Sequence, residues 1–291
     1  VWKNYSMCTD GVGTKLDLAL KYNMLEGIGI DLVAMCANDM YVHGAKPTAF
    51  LDYLAVDRMD KTLCKTLVDS INKGCKIAGC SLTGGETAEM KGMYRSKKCD
   101  LGGFLIGDSP TTINHICSND DFRSGMHILG LPSSGIHSNG FTLVNDILHN
   151  LDLQAQLDSN CSLVSHSLIK QLLKPTRIYS DVLKLIDSQI GIHGIAHITG
   201  GGFPDNINRL CKSFDICNLD DNDYTAKSIE TPYCKFDFEL DDMFDYLEQM
   251  NKKQGIGSEY EKVISQFRWV QRMSNMSMKD MLHTFNCGIG M

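Results

Sequence analysis

The sequence predicts an α+β protein built from two mixed α/β domains, and three observations lead there. The chain has 291 residues, more than a single hydrophobic core usually serves. Helix-like and strand-like hydrophobic patterns mix along it without the strict βαβ repetition of a doubly wound sheet. Each half also carries a glycine-rich loop directly after a strand-like segment. Hydrophobic residues at 43% and charged residues at 22% suffice to fill a core, which excludes global disorder.

In order, Tyr5 to Cys8 reads as the end of a strand that opens into the turn-rich run Thr9-Asp10-Gly11-Val12-Gly13-Thr14-Lys15. From Asp31 to His43, the residues Leu32, Val33, Met35, Cys36 and Met40 predict a largely buried helix, stopped by Gly44 and Pro47. Phe50 to Val56 is almost continuously apolar, which predicts a strand buried on both faces. Asp60 is placed to cap a helix carried by Leu63, Leu67 and Ile71 and closed by Gly79. Cys80 to Thr83 predicts a short strand entering the loop Gly84-Gly85-Glu86-Thr87-Ala88-Glu89-Met90, and Leu101 to Gly107 predicts another strand.

The turn signal at Asp108-Ser109-Pro110 places the expected boundary near residue 115, giving domains 1–115 and 116–291. The second domain is expected to start with a strand from Met126 to Leu131 and the loop Pro132 to Gly140. Helices at Phe141 to Leu148 and Ile178 to Ile186 follow, then a strand at Gly194 to Ile198, the loop Gly200-Gly201-Gly202 and a helix at Asp205 to Leu210. Further on, Tyr260, Val263, Ile264, Phe267 and Val270 outline an amphipathic helix expected to pack on its own domain. Val1 in place of Met, and a strand opening at Asn286 to Gly290 just before Met291, lead to the expectation that both ends are truncated.

A net charge of −7 disfavours nucleic acid as a partner, because backbone phosphates call for a concentrated basic surface. The uncharged apolar runs fall far short of the roughly 20 residues of a membrane-spanning helix. The 12 cysteines form no C-x-x-C pair and no zinc spacing, and no secretory signal precedes them. Reduced thiols in a cytoplasmic protein are expected.

Four segments have the chemistry of a site. In Asp10 to Lys15, glycines let backbone amides approach an anion, the lysine offsets phosphate charge and the aspartate suits a divalent cation; a glycine turn with solvated charges is the competing reading. Asp31, Met35, Asp39 and His43 share a helix face, where acids are costly unless they meet water, metal or partners. The alternative is that Asn38 and Asp39 tie down neighbouring loops. Glu86 and Glu89 lie in the second glycine-led loop, and Asp10, Asp39 and Glu86 together make a candidate magnesium set. Finally, Ser133-Ser134-Gly135-Ile136-His137-Ser138-Asn139-Gly140 gathers hydroxyls, an imidazole and an amide, while His197-Ile198-Thr199-Gly200-Gly201-Gly202 favours close approach to a ligand or another backbone segment.

Taken together and in this order, these segments resemble the aminoimidazole ribonucleotide synthetase (phosphoribosylformylglycinamidine cyclo-ligase) family. Gly29 to Cys36 with Asn38-Asp39, Phe50-Leu51-Asp52-Tyr53, Pro175-Thr176-Arg177-Ile178-Tyr179 and Thr284 to Gly288 extend the likeness over most of the chain, apart from about Asn218 to Asp280. The resemblance implies an N-terminal sheet that pairs across a homodimer, and an ATP-dependent, magnesium-dependent ring closure of a phosphorylated ribonucleotide through a phosphorylated imidate. It implies that Asp10, Gly11, Gly13, Thr14, Lys15, Asp39 and Glu86 meet ATP and magnesium, with Asp10, Asp39 and Glu86 as metal ligands. Ser134, Gly135, His137, Ser138 and Asn139 would meet the substrate, His137 moving a proton and Asp39 serving beside it, and Thr199, Gly200, Gly201 and Gly202 would approach the ribose phosphate. A family-typical glycine-rich segment before Val1 and elements after Gly290 are missing from the match. Another ATP-using relative, or a catalytically silent binding protein of the same fold, are the alternatives.

Overall fold

The computed structural model describes residues 5–95, 98–109, 128–157, 165–187, 192–211, 229–231, 234–236, 252 and 258–291. The first domain is a four-stranded sheet with helices on one face. Its strands are β1 (Tyr5–Gly11), β2 (Lys46–Val56), β3 (Ser81–Glu89) and β4 (Cys99–Asp108), in the spatial order β1-β4-β2-β3. β4 pairs antiparallel with both β1 and β2, and β2 pairs parallel with β3. The helices are α1 (Lys15–Tyr22), α2 (Ile28–Tyr41) and α3 (Lys61–Ala78).

Local chemistry accounts for these elements. Asp60 caps α3 by accepting from the Thr62 and Leu63 amides at 2.8 and 3.1 Å, and Gly79 ends it in the left-handed conformation with φ 75°. Leu67, Ile71 and Cys75 of α3 and Leu32, Val33, Cys36, Ala37 and Met40 of α2 bury one continuous core against Phe50, Leu54, Leu101 and Leu105 of the sheet. At the helix crossing, a Cβ on Gly29 would lie 2.2 Å from the Ile71 nitrogen, so only glycine lets α2 and α3 approach this closely.

Three expectations change here. β1 extends through Gly11, because Thr9, Asp10 and Gly11 keep their ladder with Phe104, Gly103 and Gly102. The segment from Gly84 to Glu89 is not a loop but the outer part of edge strand β3, paired with Leu51 to Val56. β2 is not buried along the whole of both faces in the single chain: Phe50, Asp52, Leu54 and Val56 turn inward, and on the other face Ala55 is buried while Tyr53 is 37% exposed. Its second face belongs to an uncovered apolar surface with Tyr5, Met7 and Phe104, which are 56%, 75% and 48% exposed.

The second domain is mainly helical among the described residues: α4 (Phe141–Leu157), α5 (His166–Leu172), α6 (Val182–Asp187), α7 (Gly202–Cys211), α8 (Ser258–Ser274) and α9 (Met278–Thr284), with a small hairpin of β5 (Ile229–Thr231) and β6 (Cys234–Phe236). Two expected strands are reduced to short backbone pairings. The Leu131 amide donates to the Met291 carbonyl at 2.8 Å, the Leu131 carbonyl accepts from the Gly290 amide at 3.0 Å, and the Ile198 amide donates to the Gly290 carbonyl at 3.1 Å. The expected boundary at 115/116 and the start of the strand at Met126 lie outside the described residues. Helix α8 packs as expected, with Tyr260, Val263, Ile264, Phe267 and Val270 buried in its own domain. Among the described residues no helix is long and apolar enough to cross a membrane.

Candidate active site at the domain junction

The domains meet over the N-terminal end of α1 and one face of α2. Lys15 and Asp31 are both fully buried there, joined at 2.8 Å. The same ammonium donates to the Lys174 carbonyl at 2.8 Å, and Asp31 Oδ1 also accepts from the Thr176 amide at 2.7 Å and the Thr176 hydroxyl at 2.6 Å. Ser138 Oγ stands 3.2 Å from that oxygen and 3.0 Å from Thr176 Oγ1. An ion pair out of water persists only when such donors and acceptors complete it. Burial pushes the Lys15 pKa down from its ordinary value, and the Asp31 charge opposes that shift. Lys15 also lies 5.4 Å over the Phe141 ring of α4.

Two turns further along α2, Asn38 and Asp39 face the second domain. Asn38 Nδ2 donates to the Arg177 carbonyl at 2.8 Å, its Oδ1 accepts from the Tyr179 amide at 3.0 Å, and Nδ2 lies 3.4 Å from His197 Nε2. His197 Nδ1 meets Asp39 Oδ1 at 2.7 Å, with the imidazole side chain 3% exposed and the Asp39 side chain 47% exposed. Asp10, at the end of β1, completes the group. Burial raises its pKa, partly countered by the Gly11 amide at 2.7 Å; the Asp39 charge raises it further and His197 lowers it. Two neighbouring carboxylates, one half-exposed and the other with a raised pKa, are oxygen ligands whose mutual repulsion a hard divalent cation relieves. Among the described residues, no group of three or more His, Cys, Asp or Glu is arranged to hold a metal.

The Ser133 to Gly140 loop forms the adjoining wall, and its hydroxyls are engaged in holding it there. Ser133 Oγ donates to the Gly135 carbonyl at 2.9 Å, Ser134 Oγ to the Pro175 carbonyl at 2.7 Å, and Ser138 joins the Asp31 and Thr176 cluster. Asn286 Nδ2 clamps the same loop through the Gly135 and Ile136 carbonyls at 3.1 and 3.2 Å. A Cβ on Gly200 would lie 3.6 Å from Asn139 Oδ1, so Asn139 and the Thr199 to Gly202 loop are neighbours.

The expected residues therefore divide. Asp10, Asp39, Asn139 and Gly200 stand at the junction. Glu86 does not join Asp10 and Asp39 within the chain: β3 and β1 are opposite edges of the sheet, three strand spacings or roughly 14 Å apart. Lys15 is not open to a phosphate, because its ammonium is spent on Asp31 and Lys174. Gly11 continues β1, Gly13 turns with φ 69°, and Thr14 Oγ1 lies 3.3 Å from Thr142 Oγ1 while the Thr14 carbonyl accepts from Asn145 at 2.9 Å. Gly202 is glycine for packing, since a Cβ there would sit 1.7 Å from the Leu282 carbonyl oxygen.

His137, expected to meet the substrate, is 2% exposed, has φ 70°, and its Nε2 accepts from the Ser134 amide at 3.2 Å, so the ring is buried in this structure. Sequence reasoning gave no role to His197, Thr176 or Asn206, although His197 and Thr176 lay inside quoted motifs. Asn206, whose Nδ2 reaches the Gly202 carbonyl at 2.7 Å, fastens the glycine loop from an otherwise ordinary helix position.

The burial of His137 has a measurable consequence. Desolvation, helped by the charges of His197, Lys15 and Arg177, holds its pKa well below 6.5 in the folded protein. Once pH falls below the unfolded value of about 6.5, the unfolded chain binds a proton that the folded one does not, and stability drops by up to about 1.4 kcal/mol per pH unit. Denaturant unfolding at several pH values should give a shallower loss for His137→Asn than for the parent between about pH 6.5 and 5; identical slopes would contradict a neutral buried ring.

Comparison with known proteins matches this arrangement to one family. Residues 2–108 match the family model described as AIR synthase related protein, N-terminal domain, and residues 123–216 match that for the C-terminal domain. The phosphoribosylformylglycinamidine cyclo-ligase of Nitrosococcus oceani is 37% identical over 283 residues, covering 97% of this chain and 67% of the relative. The protein of that name from Lawsonia intracellularis is 38% identical, with 97% and 69% covered. Among solved structures, hydrogenase maturation protein HypE in complex with ATP aligns over 72% of this chain and 56% of its own, with a TM-score of 0.45 and 21% identity. With both domain models matched in order and relatives aligned along nearly its whole length, the chain belongs to the AIR synthase (phosphoribosylformylglycinamidine cyclo-ligase) family.

Proposed function

We propose that the protein catalyses the ATP-dependent cyclisation of formylglycinamidine ribonucleotide to aminoimidazole ribonucleotide, a ligase step of purine synthesis in the cytoplasm. The observation that carries this reading is the similarity to named cyclo-ligases, 37% identical over 97% of the chain. Chemically, ATP would transfer its terminal phosphoryl group to the formyl oxygen with release of ADP, the neighbouring amidine nitrogen would attack that carbon, and phosphate would depart as the nitrogen gives up a proton. The protein's part is to position these groups and to offset charge.

Asp10 and Asp39 are the residues suited to hold magnesium, which would neutralise phosphate charge when bound. Two carboxylates match the usual magnesium-nucleotide arrangement, in which phosphate oxygens and water supply the remaining ligands. Asn139 and Gly200 flank the place where the ribonucleotide would lie, while Ser134, Gly135, His137 and Ser138 shape that wall from behind.

The homodimer belongs to the same proposal. Tyr5, Met7, Tyr53 and Phe104 form one uncovered apolar sheet face, a surface that a monomer leaves in water at a cost and a second copy would bury. Glu86 shares that face, being in register with Tyr53.

Two outcomes follow. Asp39→Asn still accepts from His197 but removes one charge from the cation site, so magnesium-dependent turnover should fall at least about tenfold while unfolding free energy stays within about 0.5 kcal/mol of the parent. Unchanged turnover and magnesium dependence in the folded variant would remove Asp39 from the site. In sedimentation at micromolar concentration the parent should run as a dimer and Phe104→Glu as a monomer, whereas a monomeric, active parent would refute the interface.

A further inference from the structure

The orientation of the Asn38 amide is dictated by backbone groups of fixed polarity. The Tyr179 N–H at 3.0 Å can only donate, so it must face Oδ1, and the Arg177 carbonyl at 2.8 Å can only accept, so it must face the NH2 group. A flipped amide would lose both bonds and set like groups against each other. The second amide hydrogen is thereby left to point at His197 Nε2, 3.4 Å away, which must accept it. In a neutral imidazole with Nε2 as acceptor, the hydrogen is on Nδ1, and Nδ1 faces Asp39 Oδ1 at 2.7 Å.

We infer that Asn38 is a positioning residue, which selects the Nδ1–H tautomer of His197 and through it fixes the Asp39 carboxylate by one oxygen, leaving the other free for the cation site. This inference rests on the magnesium-nucleotide reading for its consequence in catalysis, although the tautomer itself does not depend on it. A chain of this kind, from backbone to amide to imidazole to carboxylate, orients a ligand without touching what the ligand holds. Asn38 is buried and His197 nearly so, which keeps water from replacing either bond. Neither residue is free to relax separately, since Asn38 spans both Arg177 and Tyr179 on the segment that also carries Thr176.

The test uses Asn38→Asp, His197→Asn and the double variant. An aspartate at 38 still accepts from Tyr179 but donates neither to the Arg177 carbonyl, a loss common to both backgrounds, nor to Nε2, and so favours a hydrogen on that nitrogen. An asparagine at 197 places its amide nitrogen near the position of Nδ1, donates to Asp39 and no longer reads residue 38. Nitrogen-15 spectra of the imidazoles in the magnesium-free protein, with the His197 signal assigned by its loss in His197→Asn, should report Nδ1–H in the parent and a hydrogen on Nε2 in Asn38→Asp. In turnover assays Asn38→Asp should lower kcat by about 10- to 100-fold in the parent background and by less than about threefold in the His197→Asn background. An Nε2–H tautomer in the parent would overturn the inference. So would equal losses in the two backgrounds, the result of a purely structural role at the loop. If Asn38→Asp fails to fold, an Nε2–H tautomer in the parent still overturns the inference, and absence of the cyclised product in the parent would refute the functional reading while leaving the tautomer result intact.

Discussion

The buried pair of Lys15 and Asp31 is the contact on which the junction depends. Removing two charges from water costs several kcal/mol per ion, and a single contact at 2.8 Å does not offset that loss. The second domain supports the pair from outside: the Lys174 carbonyl accepts one ammonium hydrogen, and Thr176 donates both its amide and its hydroxyl to Asp31 Oδ1, while Asp31 Oδ2 is buried without a partner among the described residues. The segment from Lys174 to Tyr179 is thus pinned to α2. Since Asn38 and Asp39 lie two turns along the same helix, the register set at Asp31 also decides what Arg177, Tyr179 and His197 meet.

Function follows from that register. β1 brings Asp10 to the junction, α2 brings Asp39, and the loop before α7 brings His197. None of these elements is adjacent in sequence, so the site exists only when the domains are docked. Packing at Gly202 against the Leu282 carbonyl, and the Asn286 clamp on Gly135 and Ile136, hold the two loops of the second domain in place from behind. The charged residues are therefore of two kinds: Lys15 and Asp31 pair with each other out of solvent, while Asp39 bonds His197 with its side chain 47% exposed and Asp10 stands beside it.

What was legible in the sequence was local. The Asp60 cap, the Gly79 stop and the apolar spacing of α3 each depend on residues within a few positions, and they stand where expected. On α2, Asn38 holds the Arg177 and Tyr179 backbone, and Asp39 bonds His197 while its side chain stays 47% exposed. What depends on distant residues was not legible. Glu86 was grouped with Asp10 and Asp39 as three carboxylates brought from three elements, and sheet order sets it at the opposite edge of the same chain. Lys15 resembled a phosphate ligand because its burial is set by Asp31 and Lys174, neither of them visible from its own motif. His137 was given a catalytic part by its neighbours' chemistry, and its left-handed backbone and Ser134 bond place it inside the wall.

A double-mutant cycle measures how far the Lys15 and Asp31 pair holds the junction together. Lys15→Met keeps the volume of the side chain but leaves the buried carboxylate without its cation, and denaturant unfolding should then show a loss of about 3–5 kcal/mol. Combining it with Asp31→Asn, which removes the stranded charge, should recover part of that loss, giving a coupling well above the error of the measurement. A Lys15→Met protein within about 0.5 kcal/mol of the parent, or strictly additive effects of the two substitutions, would contradict the account.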